Sequence, residues 1–98
     1  MTESRDHEET LMDALGNRAR LKILLTLAKS TTPSTIYKIA RYSGLGRSTI
    51  NRNIGILVEA RLVERTLYGE IPLYKLNPES DDMQVLVKAF REMKLIRA

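Results

Sequence analysis

Residues 36–62 read I-Y-K-I-A-R-Y-S-G-L-G-R-S-T-I-N-R-N-I-G-I-L-V-E-A-R-L, and their spacing decides the fold. Ile36, Ile39 and Ala40 stand at i, i+3 and i+4, one apolar stripe of a first short helix. Ala40 is small where a second helix has to cross closely. Gly44 falls where the first helix must stop, a position that often requires positive φ. Leu45 follows as an apolar plug for the corner. Ile50, Ile54, Leu57 and Val58 then recur at helical spacing and define a second helix over 47–60. The opposite face of that helix carries Arg47, Ser48, Asn51 and Arg52 and no carboxylate. A small residue, a glycine four positions on, an apolar corner and a basic, acid-free first turn together predict a helix-turn-helix. A cationic face with hydroxyls and an amide suits a groove lined by phosphates with base edges at its floor.

Outward from this core the chain is equally legible. Toward the N-terminus, residues 18–29 form a helix with Ala19, Ile23, Leu24, Leu27 and Ala28 inward, and Asn17 is its expected N-cap. A shorter helix over 8–15 precedes it, with Leu11, Met12 and Leu15 apolar and Gly16 as its break, while residues 2–9 lack apolar periodicity. Ser30-Thr31-Thr32-Pro33-Ser34 is a loop, with Thr32 or Ser34 as the cap of the next helix. Beyond Leu62 the period shortens. Residues 62–67 and 71–76 are β-branched or aromatic runs separated by Tyr68-Gly69-Glu70, which predicts a hairpin. Pro72 belongs at a strand start or an exposed edge, because it cannot donate to a ladder. Asn77-Pro78-Glu79-Ser80 is a turn, and Ser80 or Asp81 caps a last helix over 82–96. Helix, helix, helix-turn-helix, hairpin, helix is the order of a winged helix-turn-helix, mostly α with one small hairpin.

Composition narrows the chemistry. A chain of 98 residues suits one domain, 1–98, with a single core. There is no cysteine, so disulfides, thiolate ligands and cysteine nucleophiles are all excluded. No apolar run approaches the roughly 18 residues needed to cross a bilayer, and the N-terminus is too polar for a signal peptide, so a cytoplasmic, nucleoid-associated protein without a membrane partner is expected. The net charge of +4 is uneven: residues 1–13 carry −4, residues 14–76 carry +8, and residues 77–98 are neutral. A basic middle is the footprint of a polyanion ligand. His7 is the one histidine, which leaves no catalytic triad and no metal set, and Gly44-x-Gly46 belongs to the corner rather than to a nucleotide-binding loop. No enzyme activity, metal or cofactor is expected.

At this point the residues resemble a family. Leu15-Gly16-Asn17-Arg18-Ala19-Arg20-Leu21-Lys22-Ile23-Leu24-Leu25 is similar to the opening of ArsR-type winged-helix regulators, L-G-[DN]-x-x-R-L-x-I-L. Ile39-Ala40, Gly44-Leu45, Ser48-Thr49-Ile50, Arg52, Ile54 and Leu57 resemble their helix-turn-helix segment, although MarR-like winged helices share the S-T-[IV]-x-R part. Leu62-Val63-Glu64-Arg65 and Tyr74-Lys75-Leu76 look like the two strands of their wing. Three departures stand out. Gly46 replaces the serine before the recognition helix, and Arg61 replaces the glycine after it. The metal-sensing cysteines are absent, so a metal sensor of the usual kind is not expected.

These readings converge on a double-stranded DNA partner. In the major groove, Ser48 and Thr49 at the helix start hold phosphate, Asn51 and Arg52 reach base edges, and Arg47 meets backbone. Arg61 adds a cation nearby, and Arg65, Tyr68 and Lys75 on the wing meet backbone or minor groove. The end helices, 8–15 and 82–96, carry more apolar surface than a monomer core uses. Leu11, Met12, Met83, Leu86, Phe90 and Met93 are therefore the expected homodimer interface. The function expected is a sequence-specific transcription regulator; an architectural DNA binder with weak sequence preference is the alternative.

Overall fold

A computed structural model describes residues 2–97, with side chains from position 7. The elements are α1 (Thr2–Leu15), α2 (Arg18–Ala28), α3 (Ile36–Ser43), α4 (Arg47–Glu59), β1 (Val63–Tyr68), β2 (Ile71–Leu76) and α5 (Asp81–Glu92). The architecture is the winged helix-turn-helix that the sequence predicts. α2 is central: Ile23, Leu24 and Leu27 are buried against Ile39 of α3, Ile50, Ile54 and Leu57 of α4, and Val63 and Tyr74 of the hairpin.

Local chemistry explains most boundaries. The Asn17 side chain accepts a hydrogen bond from the Arg20 amide at 3.0 Å and caps α2 as expected. α3 begins later than the loop chemistry suggested. Thr35 is its N-cap, accepting from the Lys38 amide at 3.1 Å, and not Thr32 or Ser34. Ser34 is otherwise engaged, since its N–H and carbonyl both bond Tyr74 at 2.8 Å. That one-residue bridge gives the hairpin a short third partner and covers part of the edge of β2. α3 ends on Gly44 at φ 78, the left-handed conformation its position implies.

α4 and α5 end in the same way, with a basic residue where glycine is usual. The Arg61 amide bonds the Val58 carbonyl, and the Leu62 amide reaches back to the Leu57 carbonyl. Arg61 itself lies at φ 63. This is a Schellman motif, and Leu57 and Leu62, both buried, supply its apolar contact. Lys94 at φ 64 does the same after α5, with the Leu95 amide on the Phe90 carbonyl. The expected helix over 82–96 therefore stops at Glu92. A left-handed non-glycine residue costs roughly 1–2 kcal/mol. Arg61→Gly is accordingly expected to raise the urea unfolding midpoint, by about 1 kcal/mol in free energy; an unchanged midpoint would mean that Arg61 recovers the strain through other contacts.

The hairpin connection is shorter than the three residues expected. Tyr68 pairs with Ile71, which leaves Gly69-Glu70 as a two-residue turn. Gly69 at φ 64, followed by a residue with negative φ, fits the glycine position of a type II′ turn. Tyr74 spends its backbone groups on Ser34, so by the alternation of an antiparallel ladder Pro72, two residues away, also turns its missing N–H away from β1.

The end helices differ most from expectation. α1 reaches back to Thr2 although residues 2–9 have no apolar stripe, and the His7 ring nitrogen Nε2 stands 3.0 Å from the Asp82 carboxylate of α5. Ala14 is fully buried, whereas Met12 is 63% exposed. Met83 and Phe90, expected at a homodimer interface, are 1% and 4% exposed within this chain. Met83 belongs to the core cluster of the monomer.

Candidate nucleic-acid interface

α4 presents two faces of opposite character. Ile50, Ile54 and Leu57 are buried, while Arg47, Ser48, Asn51, Arg52 and Gly55 are exposed and Thr49 is half-buried. Ser48, Asn51, Arg52 and Gly55 stand at i, i+3, i+4 and i+7, so they form a single outward stripe. No carboxylate interrupts it before Glu59. Gly46 caps the helix without any side-chain hydrogen bond, as the sequence implied, and the first intrahelical bond runs from the Ile50 amide to the Gly46 carbonyl. The amides of the first turn are therefore not covered by a capping side chain. Arg52 Nη2 donates to Thr49 Oγ1 at 3.4 Å, a long contact on an exposed surface that leaves the guanidinium free to move. Gly55 has no heavy atom within 4 Å of where its Cβ would lie. Nothing in the fold requires a glycine there, although glycine costs a helix interior roughly 1 kcal/mol relative to alanine.

The wing residues are not all brought together. Arg65, Tyr68 and Lys75 are exposed, Tyr68 most of all at 74%. Strand alternation sets Arg65 on the face of Val63 and Tyr74, while Tyr68 and Lys75 belong to the opposite face. Lys75 Nζ lies 3.7 Å from Glu64, its register partner across the hairpin. Arg65 is thus the wing cation without a carboxylate partner among the described residues. Arg61 is exposed at the end of α4, and its carbonyl accepts from Asn77 Nδ2 at 2.9 Å, which ties the strained turn to the end of the wing.

One part of the site escapes a reading by pattern. Asn53 lies on the buried side of α4 and is only 9% exposed. Its Oδ1 accepts from Arg20 Nε of α2 at 2.9 Å, and its Nδ2 donates to the Thr49 carbonyl at 2.7 Å. The available signal was an amide set three residues after Ile50 and four before Leu57, a polar residue on the core stripe. Among the described residues no group of three or more His, Asp or Glu side chains is placed to hold a metal ion, and no helix is long and apolar enough to cross a membrane.

The interface now has a family to sit in. The model of the IclR helix-turn-helix domain matches residues 11–67, from the second half of α1 to β1. The chain belongs to the IclR helix-turn-helix domain family. No curated protein matches its sequence. Solved structures agree on the fold. HlyU from Vibrio cholerae N16961 is similar at a TM-score of 0.77 and 18% identity, over 95% of this chain and 97% of that one. A homodimeric winged helix-turn-helix DNA-binding domain from Mycobacterium bovis, described as a possible ArsR-family transcriptional regulator, is similar at 0.75 and 25% identity, over 95% and 82%. The transcriptional repressor BigR from Xylella fastidiosa is similar at 0.72 and 24% identity, over 94% and 91%. This IclR-type domain therefore has the winged-helix DNA-binding fold of transcriptional regulators. The family model is of the IclR type, while the ArsR resemblance of the sequence is matched by a solved neighbour described as a possible ArsR-family regulator. Ile39, Gly44, Ile50, Ile54 and Leu57, part of that resemblance, are core and corner residues, while Ser48 and Arg52 of its S-T-I-x-R part are exposed. The core and corner positions specify how a winged helix packs, and both families share that packing.

Proposed function

We propose that this IclR-type domain is a sequence-specific regulator of transcription that binds duplex DNA as a homodimer. In this reading residues 1–98 act as one domain on the nucleoid in the cytoplasm, in the manner of ArsR-like regulators but without metal sensing. The observation that carries it is the outward stripe Ser48, Asn51, Arg52, Gly55, a carboxylate-free face beginning at a helix start whose glycine cap makes no side-chain hydrogen bond. α4 enters the major groove N-terminus first, with first-turn amides and the Ser48 and Thr49 hydroxyls on phosphate. Asn51 reads adenine and Arg52 reads guanine one turn on. Arg47 and Arg61 flank the groove, and bare Gly55 lets the helix backbone approach.

Pairing rests on the surface the monomer leaves open. Met12 and Met93 are 63% and 59% exposed, and Leu11 and Leu86 are half-buried. Glu8, Leu11, Met12, Leu15 and Gly16 line an open, mostly apolar depression of about 410 Å³ on α1. The Mycobacterium bovis relative is homodimeric by its description. Sedimentation as a monomer at micromolar concentration and physiological salt would remove the homodimer.

Recovery of bound duplexes from a random pool by the purified protein tests the function itself. A shared motif with two-fold symmetry is the expected result. Enrichment without a motif would assign an architectural role instead. The wing adds a narrower expectation. Arg65→Ala should weaken binding to all duplexes about equally and lower the slope of log affinity against log salt by about one ion. An unchanged slope would take Arg65 off the DNA.

A further inference from the structure

α4 is held to the rest of the molecule by two kinds of contact, and only one of them has a direction. Ile50, Ile54 and Leu57 bury apolar surface, which resists separation but tolerates small rotations, because the hydrophobic effect is non-directional. Asn53 makes the one side-chain hydrogen bond that joins α4 to another element among the described residues, and its partner is Arg20. Arg20 has a second anchor, since its Nη1 donates to the Asp13 carbonyl in the last turn of α1 at 2.7 Å. Its own amide is fixed by the Asn17 cap. The guanidinium therefore spans from the end of α1, across the start of α2, to the buried side of α4.

We propose that Arg20 and Asn53 are positioning residues that set the rotation of the reading helix and join it rigidly to α1. Asn53 immediately follows Arg52 and lies two residues after Asn51. Each residue turns a helix by about 100°, so holding Asn53 inward fixes the angle at which Asn51 and Arg52 project. Asn53 Nδ2 on the Thr49 carbonyl holds the amide in the orientation that offers Oδ1 to Arg20. Only a planar fork of donors serves both acceptors at once; a lysine ammonium in this place reaches one of them. Through the Asp13 carbonyl the same fork couples the reading helix to the helix that carries Leu11 and Met12. In a homodimer this coupling would hold the two reading helices at the separation that two half-sites demand. This consequence rests on the DNA-binding reading; the rigid link itself does not.

The test uses the full chain, with Arg20→Lys, Arg20→Ala, Asn53→Ala and the double Arg20→Ala/Asn53→Ala. In the free protein, hydrogen exchange of the amides over 50–57 should quicken in Arg20→Lys relative to those of α2. Equal protection in both helices would overturn the proposal. On DNA, each single alanine variant should lose roughly tenfold in affinity for the preferred duplex, the scale of one hydrogen bond from a charged donor. The loss on random duplex should be smaller and the salt slope unchanged, because Arg20 meets no phosphate. The double variant should be no worse than either single one, as expected of two residues acting through one bond. Additive losses, or an equal loss on both duplexes with a lower salt slope, would overturn it. So would unchanged affinity accompanied by a lower melting temperature, which would leave a purely structural role. If the wild-type chain prefers no duplex, the regulator reading fails, and the exchange measurement still decides the link.

Discussion

Arg52→Ala should lose more affinity for the preferred duplex than for a random one, by about 1–3 kcal/mol, the value of a bidentate base contact. Arg52 stands on the outward stripe of α4 beside Asn51, and its hydrogen bond to Thr49 Oγ1 is long and exposed. A guanidinium held so loosely gives up little when it moves to the O6 and N7 of a guanine, so most of what the new contact contributes appears as discrimination. Arg47, at the start of the same helix, is expected to behave differently and to weaken all duplexes alike when removed. Competition binding against both duplexes at several salt concentrations separates the two behaviours. An equal loss on both, with the slope reduced by about one ion, would make Arg52 a phosphate contact that positions the helix without reading sequence.

Ile50→Ala is the change expected to cost most stability, about 2–5 kcal/mol. Ile50 is fully buried where α4 packs on the core, so truncation removes transfer free energy and leaves a cavity that its rigid neighbours fill only partly. Small domains have roughly 5–15 kcal/mol in all, so the loss is a large share of the total. Asn51→Ala, one position along, should stay within roughly 0.5 kcal/mol of the parent, because its side chain is exposed and has no hydrogen-bond partner among the described residues. Urea unfolding of the two variants checks the contrast. A comparable midpoint for both would mean that α4 does not bury the face that carries Ile50. DNA affinity should invert the order at a temperature where both remain folded, with Asn51→Ala the weaker binder.

Adjacent residues with opposite consequences are what made this protein legible from its sequence. Periodicity assigns Ile50, Ile54 and Leu57 to the core and Arg47, Ser48, Asn51 and Arg52 to solvent, because a helix repeats every 3.6 residues whatever it later packs against. Gly44 and Asn17 announced their roles through backbone conformation or capping, which are properties of a few neighbouring residues, and of the two caps offered for α5, Ser80 or Asp81, the structure uses Ser80. The order of helices and hairpin followed, and with it the winged helix-turn-helix. The ArsR resemblance has its counterpart in solved neighbours, one of them described as a possible ArsR-family regulator, while the family model that matches is the IclR helix-turn-helix domain.

Only the tertiary structure decided matters that depend on distant partners. Met83 and Phe90 have the same apolar character as Met93, and no local rule separates side chains that close the monomer from one left at its surface. Met83 and Phe90, seven residues apart on one face of α5, are buried, while Met93 at its C-cap is 59% exposed. Ser34 has the chemistry of a helix cap, yet its backbone groups were taken by Tyr74, forty residues away, and the cap passed to Thr35. Arg65 and Lys75 are both wing cations in sequence, but register alone sets Lys75 opposite Glu64 and leaves Arg65 on the other face. Arg20 and Asn53 are the clearest case. Each is an ordinary polar residue at its own place in the chain, and the bond between them exists because α2 and α4 cross there, a distance that sequence spacing does not encode.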